Sequence, residues 1–268
     1  MMNRISKNAK IHDNVIIGDN VKIEDNVEIQ SGTVINSNVT IAENTFIGAN
    51  SIIGEYSMTY FNDKLNHYNE QTTIGRNSII RSGAIIYEGV YIGENFQSGH
   101  RINIRENTTI GNDCSIGTMC DLQGKLTIGN YVRLHSNVHI GQLSKIKDYV
   151  WIYPFVILTN DPYPPMGNLK GVTIEEFAQI ATAATIMPGI TIGKNALIGA
   201  NTLVRKDVME EEVVVGNPGK VICSVRDIKN ENGEHVYPWK EYLKDFRNYP
   251  WQKNVTSILD QNCHYDNI

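Results

Sequence analysis

The chain has 268 residues, of which 41% are hydrophobic and 20% charged, and its formal net charge is −5. This length fits one large or two small globular domains, and the negative charge argues against general nucleic-acid binding, which needs clustered Lys and Arg. We find no membrane-spanning apolar run, no signal-peptide pattern, and four cysteines without metal-site spacing or the density of a disulfide scaffold. We therefore expect a cytoplasmic protein.

A six-residue period begins at Ile5 and dominates the chain. Isoleucine or another aliphatic residue recurs at every sixth position through 53, from 74 to 158 and from 174 to 204, and only Ser98 among these thirty anchors is not aliphatic. An α-helix with 3.6 residues per turn would spread such anchors around its surface. The period therefore predicts short strands, with the frequent Gly and Asn residues at left-handed corners between them.

Three such hexads would close a triangular coil of eighteen residues, and the coils would stack through parallel strand ladders. The sequence thus predicts an all-β parallel β-helix of about ten triangular coils. The period is interrupted across residues 59–73 and 164–173, after blocks of nine and fifteen hexads. Because both numbers are multiples of three, both loops should leave from the same corner. Loops at a solenoid corner are usually functional, although tolerated insertions are the alternative.

The repeat ends near Val204, and a helical pattern follows at residues 239–246. The end of a solenoid exposes unpaired strand edges and an open core, so we expect a helical cap there. We divide the chain into a β-helix domain at residues 1–222 and a C-terminal helical extension at residues 223–268.

The repeat resembles the hexapeptide-repeat acyltransferases over about residues 5–222, and residues 216–220 resemble the family's closing G-x-P-A-K element, with Gly219 in place of Ala. The resemblance implies a left-handed coil, a homotrimer with active sites between subunits, and acetyl-CoA as co-substrate. Three stretches are similar to N-acetyltransferases of nucleotide-linked amino sugars: 98–101, 134–141 and 158–165. The Tyr-Pro-Trp pairs at 237–239 and 249–251 are similar to the group that acetylates dTDP-3-amino-3,6-dideoxyhexoses.

Counting hexads places those that start at 98, 116, 134, 152, 180 and 198 on one face. On this face we predict His135 as a catalytic base or an orienting hydrogen-bond partner, with Asp121, one coil below, as its orienter. The alternative is that His135 occupies a corner and bonds only backbone. His139, at the last position of the same hexad, is a further candidate.

Candidate acceptor-binding residues lie in the same stretches and in the two loops. His100 and Arg101 follow the broken anchor and could bind sugar or diphosphate, or form a structural bulge. Asn160 and Asp161 could bond the sugar hydroxyls or the amine, or simply form an Asn-Asp-Pro turn. The remaining candidates are Asn137 in the stretch 134–141 and, for stacking on a nucleotide base, Tyr60 and Tyr68.

Small residues further along this face suit an extended pantetheine arm, and backbone N–H groups there could stabilise a developing oxyanion. These are Ala181, Ala183, Ala184, Gly199 and Ala200. Lys194, Arg205 and Lys206 could bind CoA phosphates, with solvated surface charges as the alternative. The seven histidines lack ligand spacing, so we predict no metal.

The sequence predicts the transfer of an acetyl group from acetyl-CoA to the amine of a nucleotide-linked amino deoxy sugar. An amine that titrates near ~8 is about one-tenth neutral at pH 7, so a missing base raises the barrier by only about 1.4 kcal/mol. The alternatives are O-acetylation of a sugar hydroxyl, which needs a base more strongly, and a non-catalytic β-helix scaffold. The sugar, the nucleotide and the acyl length stay open.

Overall fold

The computed structural model describes residues 2–243 and 249–250. Its strands form three sheets that are the faces of a triangular prism, and consecutive strands from residue 4 to residue 215 belong to different faces. We number the coils 1 to 10 from the N-terminus, each beginning with a strand of the first face. This arrangement confirms the predicted all-β left-handed parallel β-helix.

The first face contains, in stacking order, β1 (Arg4–Ile5), β4 (Lys22–Ile23), β7 (Val39–Ile41), β10 (Thr72–Ile74), β13 (Tyr91–Ile92), β16 (Thr109–Ile110), β19 (Thr127–Ile128), β22 (Lys145–Ile146), β25 (Thr173–Ile174) and β28 (Thr191–Ile192). The second face contains β2 (Lys10–Ile11), β5 (Glu28–Ile29), β8 (Phe46–Ile47), β11 (Ile79–Ile80), β14 (Gln97–Ser98), β17 (Ser115–Ile116), β20 (Arg133–Leu134), β23 (Trp151–Ile152), β26 (Gln179–Ile180), β29 (Leu197–Ile198), β31 (Glu212–Val215) and β32 (Lys220–Ser224). The third face contains β3 (Ile16–Ile17), β6 (Val34–Ile35), β9 (Ile52–Glu55), β12 (Ile85–Tyr87), β15 (Asn103–Ile104), β18 (Asp121–Leu122), β21 (His139–Ile140), β24 (Ile157–Leu158), β27 (Thr185–Ile186) and β30 (Leu203–Val204).

The second face is two strands longer than the others, because β31 and β32 extend it beyond coil 10. The second face therefore contains twelve strands, slightly more than the ten that the predicted ten coils would supply. β32 pairs antiparallel with β31, whereas all other strand pairs in the described residues are parallel. The helices are short: α1 (Met58–Asn62), a 3₁₀ helix (Val225–Asp227) and α2 (Trp239–Tyr242). In the described ranges, none has the length and hydropathy of a membrane-spanning segment.

Most hexads turn at the residue three positions after the anchor, where the backbone has a positive φ. Asparagine and glycine tolerate this left-handed conformation, and asparagines on successive coils also bond to one another. For example, Asn26 Nδ2 donates to Asn44 Oδ1 at 3.2 Å, and Asn44 Nδ2 donates to Asn77 Oδ1 at 3.1 Å. The predicted role of Asn and Gly at the corners is confirmed.

The anchors fill the core, and the exception at Ser98 has a local cause. Ser98 is buried, and its Oγ accepts a hydrogen bond of 2.9 Å from the backbone N of Arg81. On the coil below, the equivalent donor, Gly48 N, bonds the main-chain carbonyl of Ile80 at 2.7 Å. The hydroxyl thus substitutes for a ladder acceptor, and the pairing of β11 with β14 is reduced to Ile79 opposite Gln97.

The two interruptions leave from the same corner, as predicted. Loop 1 (residues 56–71) connects β9 to β10, and loop 2 (residues 159–172) connects β24 to β25, so both run from the third face to the first. Loop 1 follows coil 3 and loop 2 follows coil 8. Five coils, or about 24 Å at a strand spacing of about 4.8 Å, separate them along the axis.

Among the described residues of the C-terminal extension, no helix caps the end of the solenoid, which differs from the expectation. The β31–β32 hairpin occupies the end, and α2 packs on the side of the prism. There Trp239 and Tyr249 form a buried cluster with Trp151 and Phe177. Residues 244–248 and 251–268 of the predicted extension lie outside the described residues.

Candidate functional site

His135 lies at the corner between the second and third faces of coil 7, which we call the His135 corner. Its ring stacks on the ring of Tyr153, one coil above, with centroids 4.8 Å apart and an interplanar angle of 11°. Its backbone N donates to Ile152 O at 2.8 Å. Stacking and the ladder bond together fix the orientation of this imidazole.

Glycines make room below His135. A Cβ added to Gly117 would lie 2.4 Å from Ser136 N and 2.5 Å from His135 C, both backbone atoms that cannot move independently. A cavity of about 330 Å³ opens beside them on the second face. Arg133 contributes its positive charge to this cavity, with Nη1 3.3 Å from Ser115 Oγ and Nε 3.3 Å from the Tyr249 hydroxyl.

The expected pairing of Asp121 with His135 is corrected by the structure. Asp121 and His139 are opposite each other on β18 and β21 of the third face. His139 Nδ1 lies 3.1 Å from Asp121 Oδ2, while Asp121 also accepts hydrogen bonds from Asn103 (2.7 Å) and Gln123. The bond from His139 is the main cause that lowers the pKa of Asp121 below its usual value, against the opposing effect of burial. Asp121 therefore orients His139, an arrangement suited to general-base catalysis.

Asn160 lies next to this pair, one coil above. A Cβ added to Gly141 would come within 3.0 Å of the Cβ and Cγ of Asn160, so the side chain of Asn160 covers Gly141, two residues after His139. Asp161 Oδ1 accepts a bond of 3.0 Å from Tyr163 N, the turn interaction considered as its structural alternative. The third face of coils 6 and 7 thus brings Asp121 and His139 together, and Asn160 follows β24 on the next coil.

Three other predicted residues lie on the His135 corner. Asn137 occupies its left-handed position in coil 7, with φ of 60°. His100 and Arg101 lie two coils below His135 and line a separate cavity of about 470 Å³. Asn137 is therefore in the neighbourhood of His135, whereas His100 and Arg101 are about 10 Å further along the axis.

Loop 1 does not bring its tyrosines to this site. Tyr60 packs inside the loop, stacked on Tyr56 at 4.2 Å and edge-on to His67 at 5.4 Å. Tyr68 is 74% exposed. Both belong to a loop that leaves the prism five coils below Asn160, so the structure does not place them with Asn160 and Asp161.

Of the predicted pantetheine contacts, Ala181, Ala183, Gly199 and Ala200 lie on the His135 corner of coils 9 and 10. Ala184 is corrected, because its side chain is fully buried in the core. The expected oxyanion donors are also corrected in part. The backbone N of Ala181 donates to Ile198 O, that of Ala183 to Pro154 O and that of Gly199 to Val214 O, so these three groups are already used.

The predicted phosphate-binding cations are divided between two corners. Arg205 and Lys206 line a cavity of about 620 Å³ at the C-terminal end of the prism. Lys194 follows β28 and therefore lies at the corner between the first and second faces. Lys220, from β32, joins Arg205 and Lys206 in the lining and was not among the predicted site residues.

Side chains of the described residues form no cluster of three or more His, Cys, Asp or Glu that could hold a metal ion. Burial raises the pKa of Cys114 to about 12 and that of Cys120 to about 11, so both thiols stay protonated at neutral pH. Both cysteines are buried in the core of the prism, where their side chains pack.

Comparison with known proteins agrees with the repeat. The family described as bacterial transferase hexapeptide (six repeats) matches residues 20–55, and the hexapeptide repeat of succinyl-transferase matches residues 181–206. A serine acetyltransferase of Bacillus pumilus is 36% identical over 39% of this chain and 48% of its own length. A chloramphenicol acetyltransferase of Agrobacterium fabrum is 31% identical over 51% and 62%, and the galactoside O-acetyltransferase of Escherichia coli is 33% identical over 42% and 64%.

Solved structures with a similar outline have low sequence identity. An Arabidopsis UDP-N-acetylglucosamine acyltransferase is 18% identical with a TM-score of 0.49, over 82% of this chain and 74% of that one. PerB from Caulobacter crescentus, solved with CoA and GDP-perosamine, is 15% identical with a TM-score of 0.20, over 83% and 58%.

The matched repeats and curated relatives show that the chain contains hexapeptide repeats similar to those of acetyltransferases. The match spans about half to two-thirds of the length of each named relative. Their names specify acetyl transfer in each case and three different acceptors: serine, chloramphenicol and a galactoside.

Proposed function

We propose that the protein transfers an acetyl group from acetyl-CoA to the amine of a nucleotide-linked amino sugar, as a homotrimer. The observation that carries the proposal is the Asp121–His139 pair, whose side chains are partly exposed to solvent. The acetyltransferase relatives support the acyl donor. The resemblance of residues 134–141 and 158–165 to nucleotide-amino-sugar N-acetyltransferases supports the amine acceptor.

In this reaction the neutral amine attacks the thioester carbonyl carbon, so that a C–N bond forms and a tetrahedral intermediate develops. The C–S bond then breaks, and coenzyme A leaves as a thiolate. The amine nitrogen loses one proton, which Nε2 of His139 accepts because Nδ1 faces Asp121, and the proton finally neutralises the thiolate. His135, four residues earlier in the same coil, contacts the acceptor and orients it.

O-acetylation of a sugar hydroxyl is the second candidate, because an imidazole paired with a carboxylate is the base that a hydroxyl requires. The galactoside O-acetyltransferase among the relatives also favours it. The two reactions differ in their dependence on His139, since an amine is partly neutral at pH 7 whereas a hydroxyl is not.

Release of thiol from acetyl-CoA, measured across dTDP- and UDP-linked amino sugars and their hydroxyl counterparts, tests the proposal. We expect turnover with an amino sugar, and we expect His139→Asn to reduce kcat by less than about 100-fold, because positioning supplies most of the rate. Near-abolition in His139→Asn would instead favour the hydroxyl reaction. His12→Asn is the matched control, because His12 bonds Glu28 in the first coils, far from coil 7. No turnover with any amino sugar would reject the proposal.

A further inference from the structure

Loop 1 is fastened to the prism by a buried carboxylate. Glu88 lies beside the loop at the corner of coil 4, and its side chain is 3% exposed. It accepts hydrogen bonds from Ser57 N (2.9 Å), His67 Nε2 (2.8 Å) and Glu70 N (3.3 Å), and from the Ser57 hydroxyl. A buried carboxylate with four donors holds its partners firmly, because each lost bond would leave a desolvated charge less satisfied. Both ends of loop 1 are therefore fixed.

Tyr68 projects from this fixed backbone into solvent. Its neighbours His67 and Asn69 are both buried, with Asn69 7% exposed. Asn69 Nδ2 donates to Ser37 O at 2.6 Å, and Asn38 Nδ2 donates to Asn69 O at 2.7 Å. Tyr68 nevertheless remains 74% exposed. Loop 1 thus presents the exposed ring of Tyr68 from a backbone that hydrogen bonds hold in place.

The ring faces a groove of about 560 Å³ that we call the Tyr68 groove. Its other lining residues belong to coils 1 to 3, apart from one that precedes β10: Met2, Arg4, Asn20, Val21, Lys22, Asn38, Thr40 and Gln71. Two of them are cations and none is acidic. Lys22 is also paired with Glu24, whereas the described residues contain no carboxylate within ion-pair distance of Arg4. The groove therefore combines positive charge, amide groups and an exposed ring.

The Tyr68 groove is far from the Asp121–His139 pair. Thr40 lies in coil 3, and the nearer member of the pair, Asp121, lies in coil 6, so three coils, or about 14 Å, separate them along the axis. Rotation about a three-fold axis parallel to the prism leaves heights unchanged, so a neighbouring subunit would not bring the two closer. The groove must therefore be explained separately from acetyl transfer.

We propose that the Tyr68 groove binds a nucleoside diphosphate at a second site, separate from the acceptor site. The base stacks on the exposed ring of Tyr68. The diphosphate binds the Arg4 guanidinium, whose planar fork matches phosphate oxygens, and the Lys22 ammonium. Amide groups of Asn20, Asn38 and Gln71 supply hydrogen bonds to the ribose and base edges.

Calorimetric titration of the full chain with dTDP tests this second site. We expect two dTDP molecules per chain, because the acceptor site of the proposed function also takes the nucleotide. Tyr68→Ala and Arg4→Ala should each leave one dTDP, or weaken one site at least tenfold, whereas Tyr68→Phe should retain both. Arg76→Ala removes the same charge at the corner between the first and second faces, where Arg76 pairs with Glu94, and should retain both sites.

Arg101→Ala distinguishes failure of this inference from failure of the proposed function, because Arg101 is a predicted diphosphate contact of the acceptor site. If the acceptor is not nucleotide-linked, the wild type should bind one dTDP, which Tyr68→Ala removes and Arg101→Ala retains. One dTDP that Arg101→Ala removes and Tyr68→Ala retains would overturn the Tyr68 groove as a nucleotide site. Glucose 1-phosphate should bind the groove at least tenfold more weakly than dTDP, and equal affinity would overturn the assignment of a nucleoside.

Discussion

Residues of this chain meet partners eighteen positions away, because one coil contains eighteen residues. Asn103, Asp121 and His139 follow this spacing and are bonded in sequence on the third face. The sequence predicted the columns of anchors but paired Asp121 with His135, fourteen positions away. Applying the eighteen-residue spacing to outward-facing positions would have found His139 as the partner. It would also have placed Tyr153 above His135.

Replacing Asp121 by Asn should change the pH dependence of stability. Hydrogen bonding lowers the pKa of Asp121 in the folded chain. Its contribution is therefore fully present above the unfolded-state pKa of ~3.9 and is lost as pH falls through the lower folded value. We expect Asp121→Asn to reduce the thermal midpoint at pH 7 and to have a smaller effect near pH 3, measured by melting curves across this range.

Asp113→Asn provides the contrast. Burial is the main cause that raises the pKa of Asp113, so its contribution is present at low pH and is lost as pH rises through the folded value. We expect Asp113→Asn to be better tolerated at pH 7 than Asp121→Asn. Identical pH profiles for the two variants would contradict both assignments.

Gly117→Ala should be strongly destabilising, because the added Cβ meets three backbone atoms below 3.0 Å. Overpacking of this kind costs about 1–3 kcal/mol, and we also expect reduced acetyl transfer because His135 would shift. Urea unfolding measures the loss of stability, and kcat measures the loss of acetyl transfer. An unchanged free energy of unfolding in Gly117→Ala would show that the close approach is unimportant.

At the scale of elements, strands, corners and loops were predicted well because the period is local and repeats many times. Docking of the C-terminal extension was not predicted. It depends on a ladder of rings at one corner, formed by Tyr131, Tyr149 and Phe177 with centroids 4.9 and 4.8 Å apart. Trp239 packs on this ladder and its Nε1 donates to Phe177 O at 2.9 Å, a contact 62 residues apart in sequence. No local pattern encodes such a contact.

Trp239→Ala should release the extension without unfolding the prism. The extension is held through its own aromatic cluster, whereas the coils share a separate core, so the two can open independently. We expect faster proteolytic cleavage after residue 225 and a nearly unchanged main melting transition. Tyr242→Ala, on the exposed side of the same helix, is the control. Loss of the main transition in Trp239→Ala would show that the extension is required for the β-helix.

At the scale of the whole molecule, the fold is a stack in which each coil pairs only with its neighbours. Removing eighteen residues should therefore leave a shorter prism, whereas removing six should misalign every face above the deletion. We expect a chain lacking residues 93–110 to retain β circular dichroism and cooperative melting. A chain lacking only residues 93–98 should lose both. Equal behaviour of the two deletions would contradict nearest-neighbour stacking.

At the left-handed corner positions, the backbone conformation stays the same while the chemistry of the side chain varies. In the described coils its occupants include Arg101, Lys125, Tyr131, Phe155 and Ala183 as well as Asn and Gly, yet none is Pro, Val, Ile or Thr. Proline and β-branched residues are the ones that this conformation penalises most. Evolution can therefore exchange charged, aromatic or small groups along the three edges while the path of the chain stays constant, so that new ligand specificities can arise there without a new fold.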